Sequence, residues 1–176
     1  MQLRQGDWRD LFRECRSEAF HLEVRDDYAV AVESEPFRRF LDNEPDDYAW
    51  FRDWEILVEE LTGRGVTMRR VRVVTVPHTD YQRWSLIVAK RNIDAGEDIR
   101  YLPRHLAGEV PPDDWWLMDD ERVIFNLVDQ QLKSAGIAIT TDPRIIEYCQ
   151  GVKQRLWSLA TPHADYAGGS ASQTAK

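Results

Sequence analysis

VTMRRVRVVTVP, residues 66–77, is the stretch on which the fold turns. Its first half alternates apolar and charged residues, and its second half is almost wholly apolar and rich in valine. That is the pattern of a strand running into the interior of a sheet. Pro77 ends it, and Thr79 or Asp80 can cap a helix in YQRWSLIVAKRNIDAG, residues 81–96. Gly96 suits the left-handed stop of that helix, and EDIRYLPR, residues 97–104, then reads as a short strand closed by Pro103. Strand, helix and strand in this order imply a parallel pair joined by a right-handed crossover.

Working outward, Trp8, Leu11, Phe12 and Cys15 keep helical spacing, with Asp7 as N-cap. Phe20, Leu22 and Val24 then alternate with His21, Glu23 and Arg25, as in a strand, and YAVAV (28–32) is a candidate second short strand. SEPFRRFL predicts a short helix capped by Ser34. A longer one follows, with Asp46 or Asp47 as cap, Trp50, Trp54, Leu57, Val58 and Leu61 on one face, and Gly63 or Gly65 at its end.

Downstream the style changes. WWLMD, RVIFNLV and GIAITTD read as three strands of an antiparallel meander. Asp119, Asp120 and Glu121 fall where the first connection must be tight, and Asp forms turns because its side chain bonds nearby backbone N–H groups. Trp115 and Trp116 should point to opposite faces of their strand. Asp142 and Pro143 open a last helix with Ile145, Ile146, Cys149, Val152, Leu156 and Leu159 along one side. The expectation is an α/β fold over residues 1–166, a mixed sheet with a central parallel pair, an antiparallel meander and helices packed on it. Residues 167–176 form a polar tail expected to be disordered.

The net charge of -8 disfavours direct nucleic-acid or anionic-membrane binding, since the field of the whole molecule repels phosphate. The charge is uneven: residues 63–108 carry 9 basic and 4 acidic side chains, and 8 of the 9 are arginines. The two cysteines lie far apart and suit reduced, buried thiols rather than a disulfide framework. No apolar run approaches a membrane span and no signal-peptide pattern opens the sequence, so a cytoplasmic protein is expected.

The carboxyl ends of parallel strands are where open α/β sheets bind ligands. PHTDYQRW lies there, at a helix N-terminus that favours an anion. Asp80, Tyr81, Arg83 and Trp84, with Arg100 and Arg104 from the end of the next strand, form the expected ligand site. Pairing of these arginines with the protein's own acids is the competing expectation. His78 reads as an exposed loop residue. His21, His105 and His163 make no metal-ligand spacing with each other or with the cysteines, so no metal, cofactor or catalytic residue is assigned.

Residues 60–129, through LTGRGVTMRRVRVVTVP, NIDAGEDIRYLPR and WWLMDDERVIFNLVD, resemble half of a phospholipase D-like domain. That superfamily uses His-x-Lys followed by four residues and then Asp. Setting Asp119 at the aspartate puts Pro112 and Asp114 at the histidine and lysine positions; setting Asp120 there puts Asp113 and Trp115. Neither register has a nucleophile or a cation for phosphate, so the hydrolysis is not carried over. Across nearly the whole chain, AFHLEVRDDYAV, EPDDYAWF, VRVVTVPHTDYQRW, NIDAGEDIRYLPR and WSLATPHADY resemble an uncharacterised family of short actinobacterial proteins, often encoded beside helix-turn-helix regulators. The resemblance implies a protein partner of that kind. The functional expectation is a non-catalytic regulatory binding module sensing a small anionic ligand. The alternative is a phosphodiester- or nucleotide-processing enzyme in which Asp80, Asp119 or Asp120 holds Mg²⁺.

Overall fold

Residues 2–4, 9–131 and 133–170 are described by the structure, a computed structural model. In chain order the elements are β1 (Gln2–Arg4), α1 (Arg9–Arg13), β2 (Glu18–Glu23), α2 (Ser34–Leu41), α3 (Arg52–Gly63), β3 (Thr67–Val74), α4 (Asp80–Asp94) and β4 (Glu97–Pro103). There follow β5 (Trp115–Met118), β6 (Arg122–Val128), β7 (Ser134–Thr140), α5 (Pro143–Leu159), β8 (Thr161–Pro162) and α6 (His163–Ser170). One mixed sheet runs in the order β1-β7-β6-β5-β2-β3-β4-β8.

The valine-rich strand β3 sits between β2 and β4 and is parallel to both, so the parallel part has three strands. β5, β6 and β7 continue from β2 as an antiparallel meander. The candidate strand at 28–32 is absent: this segment runs without pairing into a 3-10 turn at Ala31–Glu33. Its alternation of small and β-branched residues comes after Asp26 has already turned the chain away. The Asp26 carboxylate accepts from Thr75 N at 2.8 Å and from Thr75 Oγ1 at 2.6 Å, tying the end of β2's exit loop to the end of β3.

Local signals account for most boundaries. Thr79 accepts from Gln82 N and caps α4, and Asp142 accepts from Arg144 N and caps α5 with Pro143 in its first turn. Gly65 and Gly96, with φ of +88° and +112°, end α3 and α4 in the left-handed region. Asp46 and Asp47 accept from Tyr48 N and Ala49 N, which organises a 3-10 turn at Ala49–Phe51 and delays α3 until Arg52. Ser34 is not an acceptor cap: its hydroxyl donates to the Val30 carbonyl. The Asp7 cap and Trp8 lie outside the described residues. α6 extends to Ser170, past the expected start of the polar tail, and 171–176 lie outside the description.

Alternation sorts the strand residues onto two faces. Phe20, Leu22, Val71, Val73, Trp115 and Leu117 face α5 and pack with Cys149, Val152 and Leu156. Trp116, Met118, Met68 and Ile124 face the opposite way, against Leu11 and Phe12 of α1 and Leu57, Val58 and Leu61 of α3. α4 covers the same side near β4, where Ala89 meets Val74, Ile99 and Tyr101. Both tryptophans are therefore buried, one on each face.

The β5–β6 connection is a two-residue hairpin turn. Asp119 and Asp120 have φ of 54° and 55°, and Glu121 N bonds Met118 O at 3.0 Å. Positive φ at both central residues matches the twist of the flanking strands, and Asp is among the few non-glycine residues that tolerate it. Asp119 also turns back on the chain. Its carboxylate accepts from Arg16 N, Ser17 N, Ser17 Oγ and Glu18 N, with the Ser17 N contact at 2.7 Å. The acidic cluster is a structural clasp holding the entry of β2.

Candidate functional site

β2 and β3 lie inside the sheet, where both faces must be covered, yet each presents charged side chains to the helix α3–α4 side. From β2 come His21 and Glu23; from β3 come Arg70 and Arg72. Arg70 Nε reaches Glu97 Oε1 at 2.7 Å and its Nη1 reaches Glu23 Oε1 at 2.6 Å. Arg72 Nε lies 2.5 Å from Glu23 Oε2, and its Nη1 donates to Ser85 Oγ at 2.7 Å. The other oxygen of Glu97 accepts from Asn92 Nδ2 at 2.6 Å. The network thus joins the end of β2, the middle of β3, the first residue of β4 and two turns of α4.

Burial and charge act together on these groups. Burial alone would raise the Glu23 carboxyl, but Arg70 and Arg72, helped by His21, hold it down at about 2. Burial pushes His21 well below the usual histidine range, with Arg70 and Arg72 acting in the same sense against the attraction of Glu23. His21 stacks on Trp116 at a centroid distance of 4.0 Å, and Asn126 of β6 approaches its Nε2 at 3.4 Å. Arg70 also lies 5.7 Å over the Trp116 ring, a cation–π contact in a dry setting.

Above this floor is a cavity of about 640 Å³. Its walls are Phe12 and Leu11 of α1, Trp50 and Trp54 before and in α3, Tyr81, Trp84, Ser85 and Val88 of α4, and the segment carrying Tyr28, Val30, Val32 and Glu33. That volume falls in the range of roughly 300–1,000 Å³ usual for small-molecule sites. The lining holds aromatic rings and a polar floor in one enclosure. Its four arginines are all engaged: Arg9 with Asp53, Arg25 with Asp113 and Asp114, and Arg70 and Arg72 as above.

The residues expected from the sequence to form a ligand site divide. Tyr81 and Trp84 line the cavity. Asp80 and Arg83 pair with each other on the exposed face of α4, and Arg83 Nη1 donates to the His78 carbonyl at 2.9 Å. Arg100 lies on the α5 side of the sheet, 3.9 Å over the Trp157 ring and 3.7 Å from Asp98. Arg104 spends its guanidinium on the Val24 and Val73 carbonyls, clamping the carboxyl ends of β2 and β3. The convergence of Arg83, Arg100 and Arg104 on one edge is therefore not what the structure shows, because adjacent strand positions alternate faces and each guanidinium has a nearer acceptor.

His78 is half-buried rather than exposed, with Nδ1 3.0 Å from the Thr75 carbonyl and Nε2 3.0 Å from the Tyr166 hydroxyl of α6. Asp80 stands at the carboxyl end of β3, whereas the Asp119–Asp120 turn pairs beside the amino end of β2, so these carboxylates do not come together. Among the described residues no group of three or more His, Cys, Asp or Glu side chains is placed to hold a metal ion. Cys15 and Cys149 are free and buried, and burial pushes their thiols up to about 11 and about 12. No helix among the described residues is long and apolar enough to cross a membrane.

Sequence reasoning missed Glu23, Arg70, Arg72 and Glu33 as site residues. A signal was present: charged residues alternating with valine on a strand that must be central are pointing into covered space, not into water. Glu33 carried no such mark, because it reaches the cavity from the 3-10 turn at Ala31–Glu33, outside the strand pattern.

Fold and cavity define the class: a mixed α/β domain with a cleft of small-molecule size between its sheet and crossover helices. The chain belongs to the family described as Domain of unknown function (DUF6879), whose model matches residues 6–168. None of the curated proteins matches it.

Proposed function

We propose that this domain is a binding module that takes up a small molecule in the cavity above Glu23, Arg70 and Arg72 and passes that state to a protein partner. The observation that carries the reading is the cleft of about 640 Å³ itself, aromatic rings over a largely buried and internally neutralised ionic floor. Such a floor is rigid and polar, which suits recognition of a ligand's polar edge. Thiol-based nucleophilic work is not supported, since neither cysteine lines this cavity. The phospholipase D-like pattern contributes a scaffold in this reading and none of that superfamily's hydrolytic groups. The family resemblance adds a helix-turn-helix regulator as the partner, in the cytoplasm.

The test is occupancy by a co-purifying compound and its loss on filling the space. Mass spectrometry of small molecules released from the denatured protein should find a stoichiometric compound in the wild type, much reduced in Asn126→Phe, whose ring enters the cavity from β6. Pull-downs with the two proteins should then differ in the regulator recovered. Equal recovery of compound from both would contradict the reading.

A further inference from the structure

The cavity's acids are not all treated alike. Glu23, Asp53 and Asp114 each face an arginine, but Glu33 has no ion pair among the described residues. Among the described residues its one close polar partner is the Tyr81 hydroxyl, which donates to Oε2 at 2.6 Å. Burial raises the Glu33 carboxyl, against the pull of that hydrogen bond and of Arg72. Arg72 is already held by Glu23 at 2.5 Å.

Aromatic rings gather where Glu33 stands. Tyr81 lies 5.7 Å from Tyr28 and 5.4 Å from Trp84, and Trp84 stacks on Trp50 at 5.6 Å. All four line the cavity with Glu33. The four arginines of the lining are offset by four acids, and Glu97 behind Arg70 tips the whole towards negative. Ring faces carry negative potential, so an unpaired carboxylate among them makes a setting for an organic cation and a poor one for an anion.

Resting on the reading of the cavity as a small-molecule site, we propose that its ligand is an organic ammonium, held by the Glu33 carboxylate and the faces of Tyr28, Tyr81 and Trp84. The ammonium supplies the counter-charge that Glu33 lacks, and the apolar body of the ligand lies against Trp50 and Trp84. Anionic small molecules are disfavoured because every arginine in the lining already has an acid.

A matched series tests this: phenethylammonium, the uncharged 2-phenylethanol and the anionic 3-phenylpropionate, each titrated into the whole chain while the indole N–H signals are followed. The ammonium should bind at least about tenfold more tightly than the alcohol, with the carboxylate weakest, a step of about 1.4 kcal/mol. Glu33→Gln should reduce the ammonium to the level of the alcohol. If the alcohol or the carboxylate binds as tightly as the ammonium, with the Trp84 and Trp116 signals moving, the charge assignment fails and the cavity stands. If none of the three moves those signals, the cavity reading fails with it. The comparison of the three ligands on the wild type does not depend on whether Glu33→Gln folds.

Discussion

The two faces of β2 and β3 are made from alternate residues of the same strands and behave in opposite ways. Towards α5, Phe20, Leu22, Val71 and Val73 close with Leu117, Val152 and Leu156 into a dry core whose members are nearly all fully buried. Towards α3 and α4, one residue along, His21 and Arg70 are buried and Glu23 and Arg72 largely so, but they are bonded to one another beneath an open volume. A buried ionic network is weak support for stability, since desolvation offsets much of its attraction. The difference teaches where the molecule holds itself together and where it can spare space for something else.

Truncation should expose the contrast most strongly. Phe20→Ala removes a fully buried ring that packs on Trp115, and should destabilise by about 3–5 kcal/mol in a denaturant melt. A loss under 1 kcal/mol would mean that the closed face is not closed. On the other face, Glu23→Gln leaves Arg70 and Arg72 short of a charge partner, and should cost about 3 kcal/mol at neutral pH.

That second cost has a pH signature. Glu23 titrates at about 2 in the folded chain, below its ordinary 4.5, so its contribution is complete above about 4.5 and is lost as pH falls from there towards 2. His21 is likewise held below its ordinary 6.5, and its share is present above that value and lost as pH falls beneath it. The stability of the wild type should therefore decline on acidification, and the difference between wild type and Glu23→Gln should shrink between pH 4.5 and 2. A constant difference across that window would separate Glu23 from the network.

The hairpin keeps the two faces apart, because a one-residue slip of β5 would exchange Trp115 for Trp116 and reverse every neighbour. Asp119→Ala strands the Ser17, Arg16 and Glu18 N–H groups, and should cost about 1–3 kcal/mol. Burial works against the Asp119 carboxylate, yet the Ser17 hydroxyl and these N–H groups hold it well below the usual range, so Asp119→Asn should also lose stability at neutral pH. Added volume gives a smaller contrast: Val71→Phe should destabilise by about 1–3 kcal/mol by overpacking, whereas Asn126→Phe has a cavity to enter and should cost under about 1 kcal/mol. The smallest effect is expected at Arg83→Met, which removes an exposed pair with Asp80 and should stay within about 0.5 kcal/mol.

The closed face was legible in the sequence and the open one was not, for one physical reason. Phe20-x-Leu22 and Val71-x-Val73 announce both strands and the side they bury, and Thr79, Gly96, Asp142 and Pro143 mark helix ends through local hydrogen bonds that need no tertiary context. The acidic turn was also readable, because positive φ is a local demand. The intervening His21, Glu23, Arg70 and Arg72 look like a wet face until the third parallel strand is placed, and that placement depends on β2 joining β3, a pairing across more than forty residues. Tyr81 and Trp84, just past the carboxyl end of β3, line the cavity, while Arg100, expected to converge with Arg83 on the carboxyl edge of the parallel strands, faces α5 because strand positions alternate.

The most direct measurement is a resolved indole N–H spectrum of the tryptophans, followed during titration with the phenyl-bearing ammonium, alcohol and carboxylate. Trp50, Trp84 and Trp116 border the cavity, while Trp115 and Trp157 stand on the α5 side. If the open face is the binding face, at least one ligand should shift the first three saturably and leave the last two in place. No saturable shift with any ligand, or shifts led by Trp115 and Trp157, would contradict it.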